Sequence, residues 1–235
     1  MPESSAVRTM FAGIAGRYDQ ANHLLSGGLD HGWRKALVRR ASARSPRVVA
    51  DLATGSGDVA FALKKALPAE TQIHALDFCE PMLDEARRKQ TKLPEWAATS
   101  SGLTFTTGDC LNLPLEDASI DVAAIAFGLR NLEDRHQGLL EMRRVLKPGG
   151  SLLVLEFSQP YGWFKPFYYA YLKTLLPIFA GRLTGKKDAY HYLAGSIESF
   201  PTRAQITGEL EAAAFTQVTA QALTFGTVAL HEARA

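Results

Sequence analysis

The segment RVVADLATGSGD, residues 47–58, decides the fold, because it reads as a buried strand, a glycine turn and the start of a helix. The run Arg47–Leu52 is apolar and rich in β-branched residues, and the glycines of TGSG follow it. Glycines let backbone amides approach a ligand closely, and a helix N-terminus adds partial positive charge. The segment is therefore typical of a cofactor-binding loop, although a tight turn in any α/β protein can look similar.

Outward from this loop, β-rich runs alternate with helical patterns. The predicted strands are Arg47–Leu52, Ile73–Asp77, Leu103–Asp109, Ile120–Phe127 and Ser151–Phe157. The predicted helices between them are Asp58–Leu67, Met82–Gln90 and Arg135–Leu146, the last ended by KPGG. This alternation predicts a mostly parallel sheet with helices on both faces. A helix over Arg203–Ala214 and strands at Gln217–Ala222 and Phe225–His231 then predict an antiparallel C-terminal end of the sheet.

Two cofactor classes compete for the glycine loop. The stretch GSGDVA fits the dinucleotide fingerprint G-x-G-x-x-G/A, which makes NAD a candidate. However, Asp51 and Asp58 flank the glycines, where two carboxylates disfavour a diphosphate and favour the sulfonium and ammonium groups of S-adenosylmethionine. We expect cofactor contacts from the loop and the acid before it, namely Asp51, Thr54, Gly55, Ser56 and Gly57.

Two further acids follow predicted strands. Asp77 lies 20 residues after Gly57 and can accept hydrogen bonds from both ribose hydroxyls, which NAD and S-adenosylmethionine share. Asp109 can accept the adenine amine, although capping of a helix would explain it as well. Phe78, Cys110 and Phe127 are the remaining predicted cofactor contacts. The order of glycine turn, two acids, fourth strand and KPGG predicts an α/β, class I S-adenosylmethionine-dependent methyltransferase domain with a Rossmann-like sheet.

Residues 1–45 and 158–201 are not needed to build this sheet. The first is expected to form an N-terminal helical cover, and the second is an insert dense in aromatic residues. Both can cover the carboxyl edge, where open α/β sheets bind ligands. The chain of 235 residues is thus expected to be a single methyltransferase domain, residues 1–235, with a cover and an aromatic lid.

Several motifs outside the glycine loop carry a family resemblance. They are MFAGIAGRYDQANHLLSGGLDHGWRK at 10–35, FGLRN at 127–131, RVLKPGG at 144–150, LEFSQP at 155–160, YHYLAGSI at 190–197 and LTFGTVALH at 223–231. With them the chain resembles, essentially end to end, the C-methyltransferases of ubiquinone and menaquinone biosynthesis. The glycine loop is common to many methyltransferases, whereas FGLRN, YHYLAGSI and TFGTVALH are specific.

The resemblance implies methyl transfer from S-adenosylmethionine to a ring carbon of a polyprenylated hydroquinone, a small lipidic quinol. The leading expectation is C-methylation of 2-demethylmenaquinol, with the ubiquinone-pathway step in the same enzyme as an extension. The alternatives are a methyltransferase for another phenolic or lipidic molecule, an NAD-dependent oxidoreductase, and a non-catalytic methyltransferase-like partner in a quinone-synthesis complex.

Candidate catalytic residues follow the fourth strand and come from the cover. Arg130, beside Asn131, is predicted to stabilise the phenolate or to orient a water that acts as the base, although a simple ion pair would explain it equally. Tyr18 is predicted to close over cofactor and substrate. His31, Tyr190 and Glu156 are weaker candidates. The reaction requires no metal, and the histidines show no ligand spacing.

Composition indicates the setting. The net charge of +2 gives no electrostatic footprint for nucleic acid. Two isolated cysteines, and the lack of a signal-like start, predict a cytoplasmic protein. The aromatic insert carries Lys165 and Lys173, so we expect it to hold the prenyl tail and to contact the inner face of the cytoplasmic membrane peripherally. A homodimer is the base-rate expectation.

Overall fold

A computed structural model describes residues 23, 26–92, 102–175 and 187–235, without the side chains of 175 and 187–191. The strands are β1 Val48–Leu52, β2 Gln72–Asp77, β3 Leu103–Thr107, β4 Ile120–Ala126, β5 Leu146–Phe157, β6 Thr216–Leu223 and β7 Val228–Arg234. The α-helices are α1 Leu29–Ser42, α2 Asp58–Ala66, α3 Glu80–Gln90, α4 Arg135–Val145, α5 Lys165–Ala170, α6 Lys187–Glu198 and α7 Arg203–Ala212.

The strands form one seven-stranded sheet in the order β3-β2-β1-β4-β5-β7-β6. The five strands from β3 to β5 pair in parallel, whereas β7 lies antiparallel between β5 and β6. The predicted mostly parallel sheet with an antiparallel C-terminal strand is therefore confirmed. Because parallel strands end at the same edge, the loops after β1, β2, β3, β4 and β5 converge there.

Two apolar layers sandwich the sheet, and β5 shows why. Its side chains alternate, so Leu152 and Val154 join the cluster that contains α4 and α7, while Leu153 and Leu155 join the cluster that contains α1 and α2. A strand buried on both faces has to be apolar at every position, which explains the run SLLVL. Helix α1 is held on one face by Leu37 and Ala41, and its first turn reaches the carboxyl edge.

Several elements differ from the prediction. Strand β5 begins at Leu146 rather than Ser151, because Ile120 pairs with Leu146 before the register shifts at KPGG. Strand β7 begins at Val228, since Thr224–Gly226 forms a 3₁₀ turn. Helices α5 and α6 within the aromatic insert were not predicted. Among the residues that the structure describes, every helix is too short or too polar to cross a bilayer.

Candidate active site

The glycine loop after β1 folds as a tight turn that leads into α2. The amide of Thr54 donates to the carbonyl of Leu76 at 2.9 Å, which ties the loop to β2. Gly57 has a φ of +86°, and a Cβ there would lie 2.9 Å from the ring of Phe61. Only glycine fits such a position, because both the left-handed backbone and the close ring exclude a side chain.

Asp77, at the end of β2, is held by backbone amides. Its two oxygens accept hydrogen bonds from the amides of Gly55 at 2.8 Å and Cys79 at 2.9 Å. Burial raises the pKa of Asp77, and these amide bonds oppose the shift. A carboxylate offers about four acceptor sites. The backbone amides of Gly55, Phe78 and Cys79 do not fill all of these sites, so Asp77 can still accept from a hydroxyl group of a ligand.

The loops after β1 to β4 enclose a cavity at the carboxyl edge, here called the cofactor cavity. Its wall includes nine predicted site residues: Thr54, Gly55, Ser56, Asp77, Phe78, Asp109, Cys110, Phe127 and Asn131. Asp109 also accepts a hydrogen bond from the amide of Leu111 at 2.9 Å, so it organises a turn and not a helix. The predicted contacts Asp51 and Gly57 are not part of this wall.

Asp51 lies beneath the glycine loop. It is buried and accepts a hydrogen bond from the Thr54 hydroxyl at 2.5 Å, and burial raises its pKa to about 7. Asp58, the second flanking acid, does line the cofactor cavity, but its carboxylate is paired with Arg34 at 2.9 Å and with Lys89. The sequence therefore identified two acids near the glycine loop. It did not reveal that Asp51 is buried and bonded to Thr54 of the loop, or that Asp58 forms ion pairs with Arg34 and Lys89.

A second, apolar cavity of about 450 Å³ adjoins the first. Its wall combines the start of α1, the ends of β4 and β5, and the aromatic insert. Rings form much of it: Trp33, Phe127, Phe157, Phe164, Phe167, Tyr168 and Tyr171. Arg34 and Phe127 line both cavities, so the two spaces share a wall. Trp33 is fixed there because its indole N–H donates to the Thr224 hydroxyl at 2.8 Å.

Arg130 lies on the 3₁₀ turn after β4 and borders the apolar cavity. Its side chain is buried, and Nη1 pairs with Glu156 Oε1 at 2.8 Å and also donates to the carbonyl of Phe127. The guanidinium lies 5.1 Å from the ring centre of Phe157. Its Nε is buried and has no hydrogen-bond partner among the residues that the structure describes. The ion pair considered from the sequence is present, and one donor of the same side chain remains unsatisfied.

Asn131 faces the cofactor cavity and links it to α6. Its side-chain oxygen accepts a hydrogen bond from the Tyr192 hydroxyl at 3.2 Å. Burial raises the pKa of Tyr192. Tyr190 of the same YHY motif, a weaker candidate from the sequence, has its side chain outside the described residues, and Tyr18 also lies outside them. The sequence could not identify Tyr192 as the partner of Asn131, because that contact depends on where α6 packs in the fold.

The start of α1 forms a polar cluster that the sequence did not reveal. Potential ligand atoms of His23, Asp30 and His31 lie within 4.8 Å of one another. Asp30 is already engaged, since it pairs with Arg34 at 3.0 Å, lies 3.0 Å from His23 Nδ1 and accepts a hydrogen bond from Ser26. A cation at Asp30 would have to displace the guanidinium, so we assign no metal to this cluster.

The strand order and the two cavities together define a class of enzyme. A glycine cradle at the first parallel strand, a carboxylate with free acceptor sites at the second, and an acid after the third fit the adenosine part of S-adenosylmethionine. Glu133, an acid on the same wall, fits its positive charges. The protein is thus an S-adenosylmethionine-dependent methyltransferase of the α/β class.

Comparison with known proteins gives the family. The model of the ubiE/COQ5 methyltransferase family matches residues 2–234. A demethylmenaquinone methyltransferase of Deinococcus radiodurans is 43% identical, over 95% of this chain and 90% of its own. One of Thermus thermophilus is also 43% identical, over 94% of this chain and 98% of its own. The ubiquinone/menaquinone biosynthesis C-methyltransferase UbiE of Geobacter sp. strain M21 is 38% identical over 90% and 88%. The chain belongs to the ubiE/COQ5 methyltransferase family, as the sequence motifs predicted.

Solved structures confirm the fold. A methyltransferase of Thermotoga maritima, described as a possible histamine N-methyltransferase, matches 96% of this chain and 98% of its own with a TM-score of 0.63 at 18% identity. An S-adenosylmethionine-dependent methyltransferase of Aquifex aeolicus matches 80% and 81% with a TM-score of 0.57 at 19% identity. At these identities the likeness establishes the α/β methyltransferase fold alone.

Proposed function

We propose that this methyltransferase transfers the methyl group of S-adenosylmethionine to a ring carbon of 2-demethylmenaquinol. The observation that carries the proposal is the wall shared by the two cavities at Phe127 and Arg34. A polar cavity suited to the cofactor meets an apolar, ring-lined cavity suited to a prenylated bicyclic quinol. The relatives at 43% identity, both named demethylmenaquinone methyltransferase, support the naphthoquinol as substrate.

The bound cofactor supplies a methyl group on a sulfonium, and the protein has to make the ring carbon nucleophilic. A hydroquinone carbon gains that character as the neighbouring hydroxyl loses its proton. Arg130 borders the apolar cavity, and its guanidinium is placed to stabilise a developing phenolate there. The surrounding rings exclude water, which strengthens that interaction. Arg130 is therefore proposed as the phenolate-stabilising residue, with Asn131 and Tyr18 as further catalytic residues.

The proposed cofactor contacts divide into three groups. Thr54, Gly55 and Ser56 would hold the amino-acid part, and Asp77 with Phe78 would bind the ribose. Asp109, Cys110 and Phe127 would surround the adenine and the reacting end. Asp51 and Gly57 shape the loop from outside the cavity, so their contribution is expected to be the position of Thr54 and Gly55 and not a direct contact.

The ubiquinone-pathway methylation is a second candidate, because the relative from Geobacter is named for both quinones. Its substrate would be a monocyclic benzoquinol with the same kind of prenyl tail. The apolar cavity has to accept a smaller ring in that case.

The test is a labelled-methyl assay with purified protein. Short-tailed demethylmenaquinol, the matching benzoquinol, and the oxidised demethylmenaquinone serve as parallel acceptors. We expect label on the naphthoquinol ring and none on the oxidised quinone, which lacks the electron-rich ring. Binding of S-adenosylhomocysteine, with NADH as the control ligand, is measured by titration calorimetry in the same preparation.

Each other outcome points elsewhere. Cofactor binding without label on either quinol would contradict the proposed substrate and favour another phenolic or lipidic acceptor. Label on the benzoquinol alone would select the ubiquinone-pathway reaction. If a wider set of phenolic and lipidic acceptors also gave no turnover while cofactor binding stayed intact, the result would support a non-catalytic role.

We propose that the enzyme reaches its substrate by peripheral contact with the inner face of the cytoplasmic membrane. A group of exposed rings is here called the aromatic patch: Tyr161, Trp163, Phe167 and Phe225. Trp163 and Phe225 contact Phe164, which lines the apolar cavity. Trp163 is 63% and Phe167 68% exposed, although Phe167 also lines the cavity. Exposed aromatic rings favour the membrane interface, where a prenyl tail would enter from the bilayer.

A further inference from the structure

The charges on the wall of the cofactor cavity are unequal. Four acids line it among the described residues: Asp58, Asp77, Asp109 and Glu133. Arg34 is the single cationic side chain in that part of the wall which the structure describes. S-adenosylmethionine carries two positive groups, a sulfonium and an ammonium, and one negative group, its α-carboxylate. The acids can meet the first two, so the carboxylate has Arg34 as its charge partner on this wall.

The position of Arg34 suits that task. It extends from the first turns of α1, with 16% of its side chain exposed, and its Nη1 lies 2.9 Å from Asp58 at the end of the glycine loop. Its Nη2 lies 3.0 Å from Asp30, which fixes the guanidinium from the other side. A guanidinium has five N–H donors. One ion pair at each terminal nitrogen therefore leaves hydrogens for a third acceptor.

Two acids also explain why an arginine and not a lysine stands here. The planar fork can hold Asp30 and Asp58 on two nitrogens and still present donors to a carboxylate, whereas an ammonium offers one point charge. Arg34 belongs to the motif HGWRK, in which Trp33 packs against Phe127 on the wall shared by the cavities. The guanidinium is thus held rigidly beside the glycine loop.

We propose that Arg34 binds the α-carboxylate of S-adenosylmethionine and thereby selects the complete amino-acid end of the cofactor. This inference rests on the cofactor and the family, and not on the proposed quinol. It assigns a function to Arg34, a residue of the N-terminal motif for which the sequence suggested no role.

The test compares two ligands and two proteins by titration calorimetry without any methyl acceptor. S-adenosylmethionine and its decarboxylated form share the adenosine, sulfonium and ammonium groups and differ only in the carboxylate. We expect the wild type to bind the complete cofactor roughly 10- to 100-fold more tightly, as for a hydrogen-bonded ion pair. In the Arg34→Gln variant this preference should largely disappear. The affinity for S-adenosylmethionine should fall, whereas the affinity for the decarboxylated ligand should stay nearly unchanged.

The matched control is Arg40→Gln, since Arg40 lies on the same helix and also forms an ion pair, with Glu232, away from both cavities. It should retain the full preference for the carboxylate. Equal weakening of both ligands by Arg34→Gln would mean that the residue only supports the fold, and it would overturn the proposal. So would a wild type that binds both ligands equally.

If Arg34→Gln does not fold, Arg34→Lys takes its place in the same comparison. A lysine keeps the charge but loses the fork, so we expect an intermediate preference for the carboxylate. Retention of the full wild-type preference in Arg34→Lys would contradict the role of the guanidinium fork. Thermal unfolding of every variant without ligand shows whether folding is intact before the titrations are compared.

Discussion

At the scale of single residues, Arg130 forms a buried ion pair with Glu156 and is also the residue proposed to stabilise the phenolate. Both side chains are almost fully buried, and their ion pair lies beneath the apolar cavity. Removing one partner of such a pair leaves an uncompensated charge in the interior, which is expected to cost about 3–5 kcal/mol. A single substitution would therefore reduce activity whether Arg130 acts on the substrate or only maintains the fold.

A double variant separates these roles. We expect Arg130→Met alone to lower the free energy of unfolding by roughly 3–5 kcal/mol. Arg130→Met with Glu156→Gln should recover most of it, because no charge is then left unpaired and the glutamine oxygen can still accept from the amide of Arg130 or Phe157. Neither variant should regain methyl transfer, and both should still bind S-adenosylhomocysteine. Urea unfolding, calorimetry and single-turnover assays provide the three readouts. Recovery of turnover in the stable double variant would exclude a catalytic role for Arg130.

At the scale of structural elements, the turns after β1 and β4 pack closely against each other at the carboxyl edge of the sheet. Gly128 begins the turn after β4, and a Cβ on it would lie 2.6 Å from the Cβ of Ala53 in the turn after β1. Both turns contribute to the wall of the cofactor cavity. The glycine is thus required by close packing between two loops, since its own φ of −106° is accessible to any residue.

Gly128→Ala should push these turns apart. We expect a loss of roughly 1–3 kcal/mol in the free energy of unfolding, as is typical of overpacking, together with weaker binding of S-adenosylhomocysteine. The control is Gly195→Ala in α6, where no atom of the described residues lies within 4 Å of the added carbon. It should leave binding unchanged and stabilise the helix by up to about 1 kcal/mol. Unchanged cofactor affinity in Gly128→Ala would show that the two turns do not depend on this contact.

At the scale of the whole molecule, the apolar cavity lies near the exposed aromatic patch. Rings of the aromatic patch contact one another, with Trp163 and Phe225 centred 5.3 Å apart. Phe225 is 52% exposed, and its backbone φ of +55° is unfavourable for a bulky residue. The contacts of the surrounding turn therefore have to hold the backbone of Phe225 in this conformation. Such a surface beside a ligand cavity is consistent with substrate entry from a bilayer.

Binding to vesicles tests this surface. Trp163→Ser with Phe167→Ser should weaken sedimentation with vesicles of mixed neutral and anionic lipid about 30-fold or more, because burial of each ring contributes on the order of 1–2 kcal/mol and every 1.4 kcal/mol is about tenfold. Leu140→Ser is the control, since Leu140 is an exposed apolar residue on α4 and lines neither cavity. Affinity for S-adenosylhomocysteine should remain constant in both. Equal vesicle binding by the wild type and the double variant would contradict the proposed membrane contact.

The sequence by itself determined the elements of the sheet, the glycine loop and most of the cofactor wall. These features are local: burial on both faces makes a strand apolar throughout, and a left-handed turn against a ring requires glycine. Asp77 and Asp109 were predicted because the carboxyl ends of parallel strands meet at one edge. The family motifs predicted the remaining chemistry without showing how their residues meet.

Only the tertiary structure decided which of these residues are partners. Trp33 and Thr224 are 191 positions apart, and Arg130 and Glu156 are 26 apart, so no local pattern connects them. Likewise, the same charge pattern left Asp51 and Asp58 equivalent in the sequence, whereas folding buries the first beneath the loop and pairs the second with Arg34. Long-range packing fixes such contacts, because a side chain's solvation and charge partners depend on elements that the chain brings together only when it folds.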